Sequence, residues 1–230
     1  MRTLLEIGLL GTTGLIWAYV LFRRSDPPVR IQERLLLWLA VMVSQGLLTF
    51  VLDHLADPDV TNPEDLTYMP GCWLGGILWL YLAARSFLVL RLSVAADALE
   101  ARNPSAVYAC SGALLGAGLV YVGANIGSGD DGRTTLLAAL IGYSVWFACW
   151  WVLESRIGLS ASITRHRRRF AGARLGILLA ANGGILGWAV AGDWISFAAT
   201  LHDLVVEGWP ALALTVVFGF IESILQGAGR

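Results

Sequence analysis

The sequence contains no lysine, and all sixteen of its basic residues are arginine. Retinal is attached to proteins through a lysine Schiff base, so the absence of lysine excludes a covalent retinal protein. Cysteine is also scarce, with only Cys72, Cys110 and Cys149. Three cysteines make no disulfide framework, and two of them fall in the middle of apolar stretches. We therefore interpret all three as small packing residues.

The chain has few charges of either sign. Charged residues make up 14% of it and hydrophobic residues 57%. A helix of about 20 apolar residues crosses the roughly 30 Å hydrocarbon core of a bilayer, and seven blocks approach that length. The blocks lack the in–out alternation of a barrel strand, which favours helix. They span residues 4–22, 35–55, 72–90, 106–126, 135–153, 170–191 and 204–225. The sequence predicts an all-α, polytopic membrane protein with seven transmembrane helices.

The few charges are segregated between alternate loops. The loops after the first, third and fifth blocks are basic and hold Arg23, Arg24, Arg30, Arg34, Arg91, Arg102, Arg156, Arg165, Arg167, Arg168 and Arg169. The other loops are acidic and hold Asp57, Asp59, Glu64, Asp65, Asp130, Asp131, Asp193 and Asp203. Because arginine-rich loops remain cytoplasmic, the pattern predicts an N-terminus outside and a C-terminus inside.

Two segments share a spacing of small residues. "GALLGAGLVYVGANIG" (112–127) and "GARLGILLAANGGILG" (172–187) align at an offset of 60. Such glycines let helix backbones approach closely in lipid. The matching packing glycines are Gly112, Gly116, Gly123 and Gly127 in the first segment, and Gly172, Gly176, Gly183 and Gly187 in the second.

Each glycine-rich block is followed by a block that ends in an acid–serine pair, Glu154–Ser155 or Glu222–Ser223. This recurrence predicts tandem, parallel helix-pair repeats. The predicted organisation is two helices and an outer loop (1–70), a third helix with a cytoplasmic extension (71–105), a first repeat (106–157) and a second repeat (158–230). Pro104 is expected to open the helix of the first repeat.

The segment "EARNPSAVYACSGALLGAGLVYVGANIG" (100–127) resembles a helix of the YjfL-like bacterial inner-membrane family, and "RFAGARLGILLAANGGILG" (169–187) resembles it more weakly. The resemblance covers roughly residues 72–225. In that family an acidic residue typically ends the second helix of each unit, which Glu154 and Glu222 match. The family is defined as a domain of unknown function whose members often accompany envelope-stress proteins. The resemblance implies a multi-pass protein of the bacterial inner membrane with a membrane partner.

Four ionisable residues are predicted to lie near the inner boundary: Arg85, Glu154, Arg174 and Glu222. Arg85 stands where the family pattern would place an acidic residue. Charges at such depth cost a few kcal/mol and are normally paired or face a cavity. The first interpretation is an ion-pair network that fixes helix packing. The alternatives are a polar vestibule that relays protons or cations, and a docking surface for another subunit.

Three of the uncharged polar residues within the blocks are candidates for a functional role: Asn182, Gln45 and Ser111. Each is expected to form an interhelical hydrogen bond, with pore lining as the alternative. The basic segment "RHRRR" supplies Arg165, Arg167, Arg168 and Arg169. These arginines are expected to anchor the topology, or to contact anionic lipid headgroups or an acidic partner.

Signals for cofactors and catalysis are weak. Haem takes axial histidines, so a haem between His54 and His202 stays open as an alternative. Asp130 and Asp131 are expected to attract a cation weakly, but the sequence completes no metal site. No motif of a zinc protease, a nucleotide-binding loop or a serine hydrolase is present. We therefore expect that the protein binds no cofactor and no nucleic acid, and that it is not an enzyme.

The expected function is an integral subunit of a membrane-associated complex, and the family resemblance implies a connection with envelope stress. It is expected to associate through its glycine-rich faces with other subunits or with a second copy. Its arginine loops would then face lipid headgroups or a cytoplasmic partner. The alternative is an ion or proton conduit that uses Glu154, Glu222 and Arg174.

Overall fold

The computed structural model describes residues 2–22, 31–56, 68–128 and 132–227, and within them the regular elements are all helices. The side chains of residues 2–5, 22, 68, 166 and 169 are also outside the description. The α-helices are α1 (Arg2–Phe22), α2 (Ile31–His54), α3 (Tyr68–Ser86), α4 (Pro104–Gly123), α5 (Gly132–Ile157), α6 (Leu159–His166), α7 (Arg169–Ala189) and α8 (Phe197–Gly227). The all-α class expected from the sequence is confirmed.

Six of these helices are long and apolar enough to cross a membrane, namely α2, α3, α4, α5, α7 and α8. The apolar part of α1, Glu6–Leu21, is shorter than the other six. The long apolar helices indicate a membrane protein, and they coincide with six of the seven predicted blocks. Several predicted loop charges lie outside the described residues, namely Arg23, Arg24, Arg30, Asp57, Asp59, Glu64, Asp65, Asp130 and Asp131.

The predicted extension of the third helix is interrupted between α3 and α4. A 3₁₀ turn, Phe87–Leu90, ends at Arg91, whose φ of 59° is left-handed. A π-helical segment, Val94–Glu100, then begins after Ser93, whose hydroxyl accepts a hydrogen bond from a backbone N–H. Pro104 occupies the first turn of α4 as predicted, since its missing N–H would have had no partner there.

Helix α4 is the centre of the bundle. It is apolar on all sides, as expected of a helix surrounded by other helices, and most of its membrane-length window is buried. It packs most extensively against α7 and next against α2. Helix α8 lies at the periphery, and most of its window is exposed. The core of the molecule therefore forms around α4 and α7.

A short helix, α6, joins α5 to α7 where the sequence predicted only a basic loop. Its apolar residues Leu159 and Ile163 are one turn apart and fully buried, so they hold one face of α6 against the bundle. Gly158 precedes it with φ of 63°, a left-handed conformation that separates α6 from α5. Eight residues are too few to give a clear periodic signal, which explains why the sequence did not reveal α6.

Replacing Gly158 with alanine is expected to lower the free energy of unfolding by about 1 kcal/mol. No described atom lies within 4 Å of the added methyl group, so the cost is that of a left-handed backbone alone. Unfolding by SDS titration in detergent micelles measures the change. Gly46→Ala is the control, because Gly46 is helical and equally open. An equal loss in both variants would contradict the backbone explanation.

Candidate functional site

The central polar contact lies between α7 and α8. Arg174 Nε donates a hydrogen bond to Glu222 Oε1, and the two side chains form an ion pair. Glu222 is only 2% exposed, whereas the Arg174 side chain is 39% exposed. A carboxylate buried to this degree requires a partner, and the arginine provides one while keeping part of its length near the surface.

The other two predicted members of the inner network are arranged differently. Glu154 forms no ion pair with any arginine that the structure describes: its Oε2 accepts a hydrogen bond of 2.8 Å from Ser160 N, in the first turn of α6. An acidic side chain there satisfies a free backbone donor and suits the positive end of the helix. Arg85 is exposed near the end of α3, and no carboxylate is within ion-pair distance of it among the described residues. The expected four-residue network is thus reduced to one ion pair and one helix cap.

A second polar contact lies about two turns from Glu222 along α8. Asn182 is fully buried, and its Nδ2 donates a hydrogen bond of 2.8 Å to Thr215 Oγ1. The Thr215 hydroxyl donates in turn to the carbonyl of Ala211, also at 2.8 Å. The pairs 182–215 and 174–222 show that α7 and α8 run antiparallel. Asn182 therefore forms an interhelical hydrogen bond, which was the first interpretation of this residue.

A double-mutant cycle on this contact is expected to give a coupling energy of about 0.6 kcal/mol, the average of such cycles for interhelical hydrogen bonds in bacteriorhodopsin. Asn182→Leu and Thr215→Val remove one partner each while retaining volume. The free energy of unfolding of the wild type, the single variants and the double variant provides the value. A coupling energy indistinguishable from zero would contradict the hydrogen bond.

The packing glycines bring α4 and α7 into backbone contact. A Cβ on Gly112 would overlap the backbone of Gly176, and one on Gly123 would overlap that of Gly187. Both contacts have a sequence offset of 64, so the two helices run parallel. A Cβ on Gly172 or on Gly183 would likewise overlap the backbone of α4. The glycine-rich faces expected to bind other chains are therefore occupied by each other inside this chain.

Gly127 does not belong to this helix interface, contrary to the sequence interpretation. Helix α4 ends at Gly123, and Gly127 has φ of 93° in the turn that follows. It lies against the backbone of Gly192, where a side chain would not fit. Beside it, Gly192 N donates to the carbonyl of Ile126 at 2.9 Å. Gly127 therefore allows two turns to approach closely, and it takes no part in the contact between the two helices.

The basic segment is anchored by its backbone. The carbonyl of Arg168 accepts a hydrogen bond of 2.7 Å from Ser105 Oγ. Arg167 has φ of 49°, and its Nη2 donates to the carbonyl of Ala101 at 3.0 Å. The side chains of Arg165, Arg167 and Arg168 are exposed, while that of Arg169 lies outside the description. The segment thus presents exposed positive charge from a fixed position.

Asn103 is a connecting residue that the sequence reasoning did not single out. Its Oδ1 accepts a hydrogen bond from Ser105 N, and its Nδ2 donates to the carbonyl of Ile163 at 2.8 Å. It is almost fully buried and joins the start of α4 to α6. The signal was available, since asparagine directly before proline at a helix start is typical of an N-cap.

The remaining candidates lie apart from the ion pair. Gln45 is buried in α2 against Gly76 of α3, and Ser111 is buried in α4. Among the described residues neither Gln45 Oε1 nor Ser111 Oγ has a hydrogen-bond partner, so the interhelical hydrogen bonds predicted for these two residues are not seen. His54 stacks on Phe50 with ring centroids 4.5 Å apart, and its Nδ1 lies 3.1 Å from the Phe50 carbonyl. His202 is exposed beside Asp203. Both histidines make local contacts in their own helices.

Comparisons with known proteins provide no family assignment: no protein-family model, no curated protein and no solved structure matches the chain. The resemblance to the YjfL-like family stays a prediction from the motifs.

Proposed function

We propose that the chain is a non-enzymatic, structural or interaction subunit of a membrane-associated complex in the bacterial inner membrane. In this proposal α1 is a seventh span, the N-terminus is outside, and α4–α5 and α7–α8 are parallel helix-pair repeats. The observation that carries the proposal is the pairing of buried polar groups with one another. Arg174 with Glu222, and Asn182 with Thr215, join helices of the same chain. Because these contacts join α7 to α8, we propose that they stabilise the packing of the two helices.

The surroundings of α8 favour this role over ion conduction. The buried residues of α8 form one stripe, and its polar members are Thr200, Thr215 and Glu222. Between Thr200 and Thr215 the stripe consists of Leu204, Gly208 and Ala211. A Cβ on Gly208 would lie 3.2 Å from Leu186 of α7, so this region is tightly packed and apolar. Among the described residues, the polar groups of the α7–α8 interface do not continue through it.

The arginine segment supports a role at the membrane surface. Arg165, Arg167 and Arg168 are exposed at the end of the bundle that also holds Asn103 and Ser105. A group of arginines next to membrane helices attracts anionic headgroups by about 1 kcal/mol per residue. We propose that this face binds anionic lipid and, in the complex, an acidic cytoplasmic partner.

The surface for other membrane subunits must differ from the one the sequence suggested. The glycines of α4 and α7 contact each other, so they are not free for association. Helix α8 presents a long exposed apolar face, with Val205, Leu212 and Val216 among its residues. We propose that this face adjoins lipid or a neighbouring subunit.

A flux measurement separates the subunit from the conduit. In proteoliposomes with a proton or sodium gradient, Glu222→Gln is expected to leave the flux unchanged while it lowers the yield and Tm. Glutamine retains the shape of the side chain and loses the attraction to Arg174. Glu207→Gln is the matched control, because Glu207 is exposed on the same helix. A flux present in the wild type and lost only in Glu222→Gln would contradict the proposal.

A further inference from the structure

A small polar cavity lies at the end of the bundle opposite the arginine segment. Its volume is about 30 Å³, enough for one or two water-sized species. The ends of α4 and α7 and the beginnings of α5 and α8 surround it. Its lining includes Asn125, Ser128, Thr135, Asp193, Thr200 and Asp203. We call it the Asn125 cavity.

The buried end of the cavity holds an amide oxygen without a partner. Asn125 is 5% exposed, and its Nδ2 donates a hydrogen bond of 2.7 Å to the carbonyl of Tyr121. Its Oδ1 accepts no hydrogen bond from any described residue. A buried carbonyl-type oxygen without a donor costs about 1–3 kcal/mol, so an occupant that contacts it is favoured. Since Nδ2 is engaged by Tyr121, Oδ1 is the amide atom left for the cavity.

The rim of the cavity carries negative charge. Asp193 Oδ1 accepts hydrogen bonds from Ser128 N at 2.8 Å and from Ser128 Oγ at 2.6 Å, which lower the pKa of this carboxyl. Asp203 supplies a second carboxylate, with its Oδ1 3.5 Å from His202 Nδ1. Helix ends of both signs meet here, so their dipoles largely cancel. No arginine is among the described lining residues, and the formal charge is therefore negative.

The chemistry of these groups selects the type of occupant. The groups left to bind a ligand are an amide oxygen, hydroxyl oxygens and carboxylates. Hard cations prefer oxygen ligands of this kind, and Ca²⁺ accepts them in flexible geometry. Two carboxylates balance a double positive charge. From this geometry we infer that the Asn125 cavity is a binding site for a hard divalent cation, with Ca²⁺ as the best fit.

Calorimetric titration of the purified protein in detergent tests the inference. CaCl₂ is titrated at constant ionic strength, with NaCl and choline chloride as separate arms. One Ca²⁺ is expected to bind per chain, with a Kd of roughly 10⁻⁴–10⁻³ M, the range of weak extracellular calcium modules. A concentration of about 100 times the Kd is expected to raise Tm by about 5 °C.

Variants locate the site. Asp203 is exposed at the rim, so Asp203→Asn is expected to retain the fold. This variant is expected to weaken Ca²⁺ binding at least tenfold. Asn125→Leu is expected to abolish binding. Glu207→Gln neutralises an acid one turn further along α8 and is expected to change Kd less than twofold. Three outcomes overturn the inference: no binding of Ca²⁺, binding of Na⁺ alone, or equal affinity in Asp203→Asn and the wild type.

Discussion

Replacing Gly183 with alanine is expected to lower the free energy of unfolding by about 3 kcal/mol, because the new methyl group overlaps the backbone of Gly116 on α4. Backbone cannot rotate away as a flexible side chain does, so α7 must move relative to α4. This interface is the most extensive one between the described helices. SDS titration of the purified protein measures the loss, and a fall in membrane yield is expected with it.

Gly184 provides a matched control on the same helix. A Cβ there meets only Leu119 Cδ1, at 3.8 Å, which is an ordinary van der Waals contact. Gly184→Ala is therefore expected to be neutral or stabilising by up to about 1 kcal/mol, since alanine is the better helix former. If the two alanine variants are equally stable, the close packing of α4 against α7 is wrong.

Replacing Arg174 with methionine is expected to destabilise the protein by about 3–5 kcal/mol. The substitution leaves Glu222, 2% exposed, without its positive partner, and an isolated buried charge is among the costliest defects in a protein. Glu222→Gln is expected to cost much less, since the Arg174 side chain is already 39% exposed and can extend towards water. The free energies of unfolding of the two variants are compared directly.

The double variant Arg174→Met, Glu222→Met separates loss of packing from loss of pairing. Replacing both charges with apolar side chains of similar size is often close to neutral. The double variant is therefore expected to recover most of the stability lost in Arg174→Met. If the double variant is as unstable as Arg174→Met alone, Arg174 does not stabilise the protein by neutralising Glu222.

The helical class and most helix positions were predictable because long apolar runs have few alternatives in a membrane. The α4–α7 contact was predictable in part, since repeated glycines indicate a close helix approach. The sequence did not show that both glycine faces belong to one interface. Gly118 was also missed: a Cβ there would overlap Ser44 Oγ of α2, and no regular spacing marks it.

The polar site was predicted less completely. Arg174 and Glu222 were expected at similar depth, but depth alone does not select one pairing among four charges. The role of Glu154 depends on the left-handed turn at Gly158, after which Ser160 N lies beside its carboxylate. The Asn125 cavity depends on four helix ends meeting in three dimensions. Contacts of this kind follow from packing and have no local signature.

Tryptophan positions illustrate the same limit. Trp146 Nε1 donates to the carbonyl of Leu179 at 2.8 Å, and Trp79 Nε1 donates to that of Ala117 at 2.9 Å. These bonds join α5 to α7 and α3 to α4. Trp146 is fully buried, while Trp209 is mostly exposed. The residue type alone does not separate a core tryptophan from one at the lipid boundary.

The most direct test of the subunit function is native mass spectrometry of the protein extracted gently from its own membrane. The proposal predicts a second, stoichiometric polypeptide that remains bound to the chain. The chain alone, a homo-oligomer without another protein, or a complex that retains only a haem or a small ligand would contradict it.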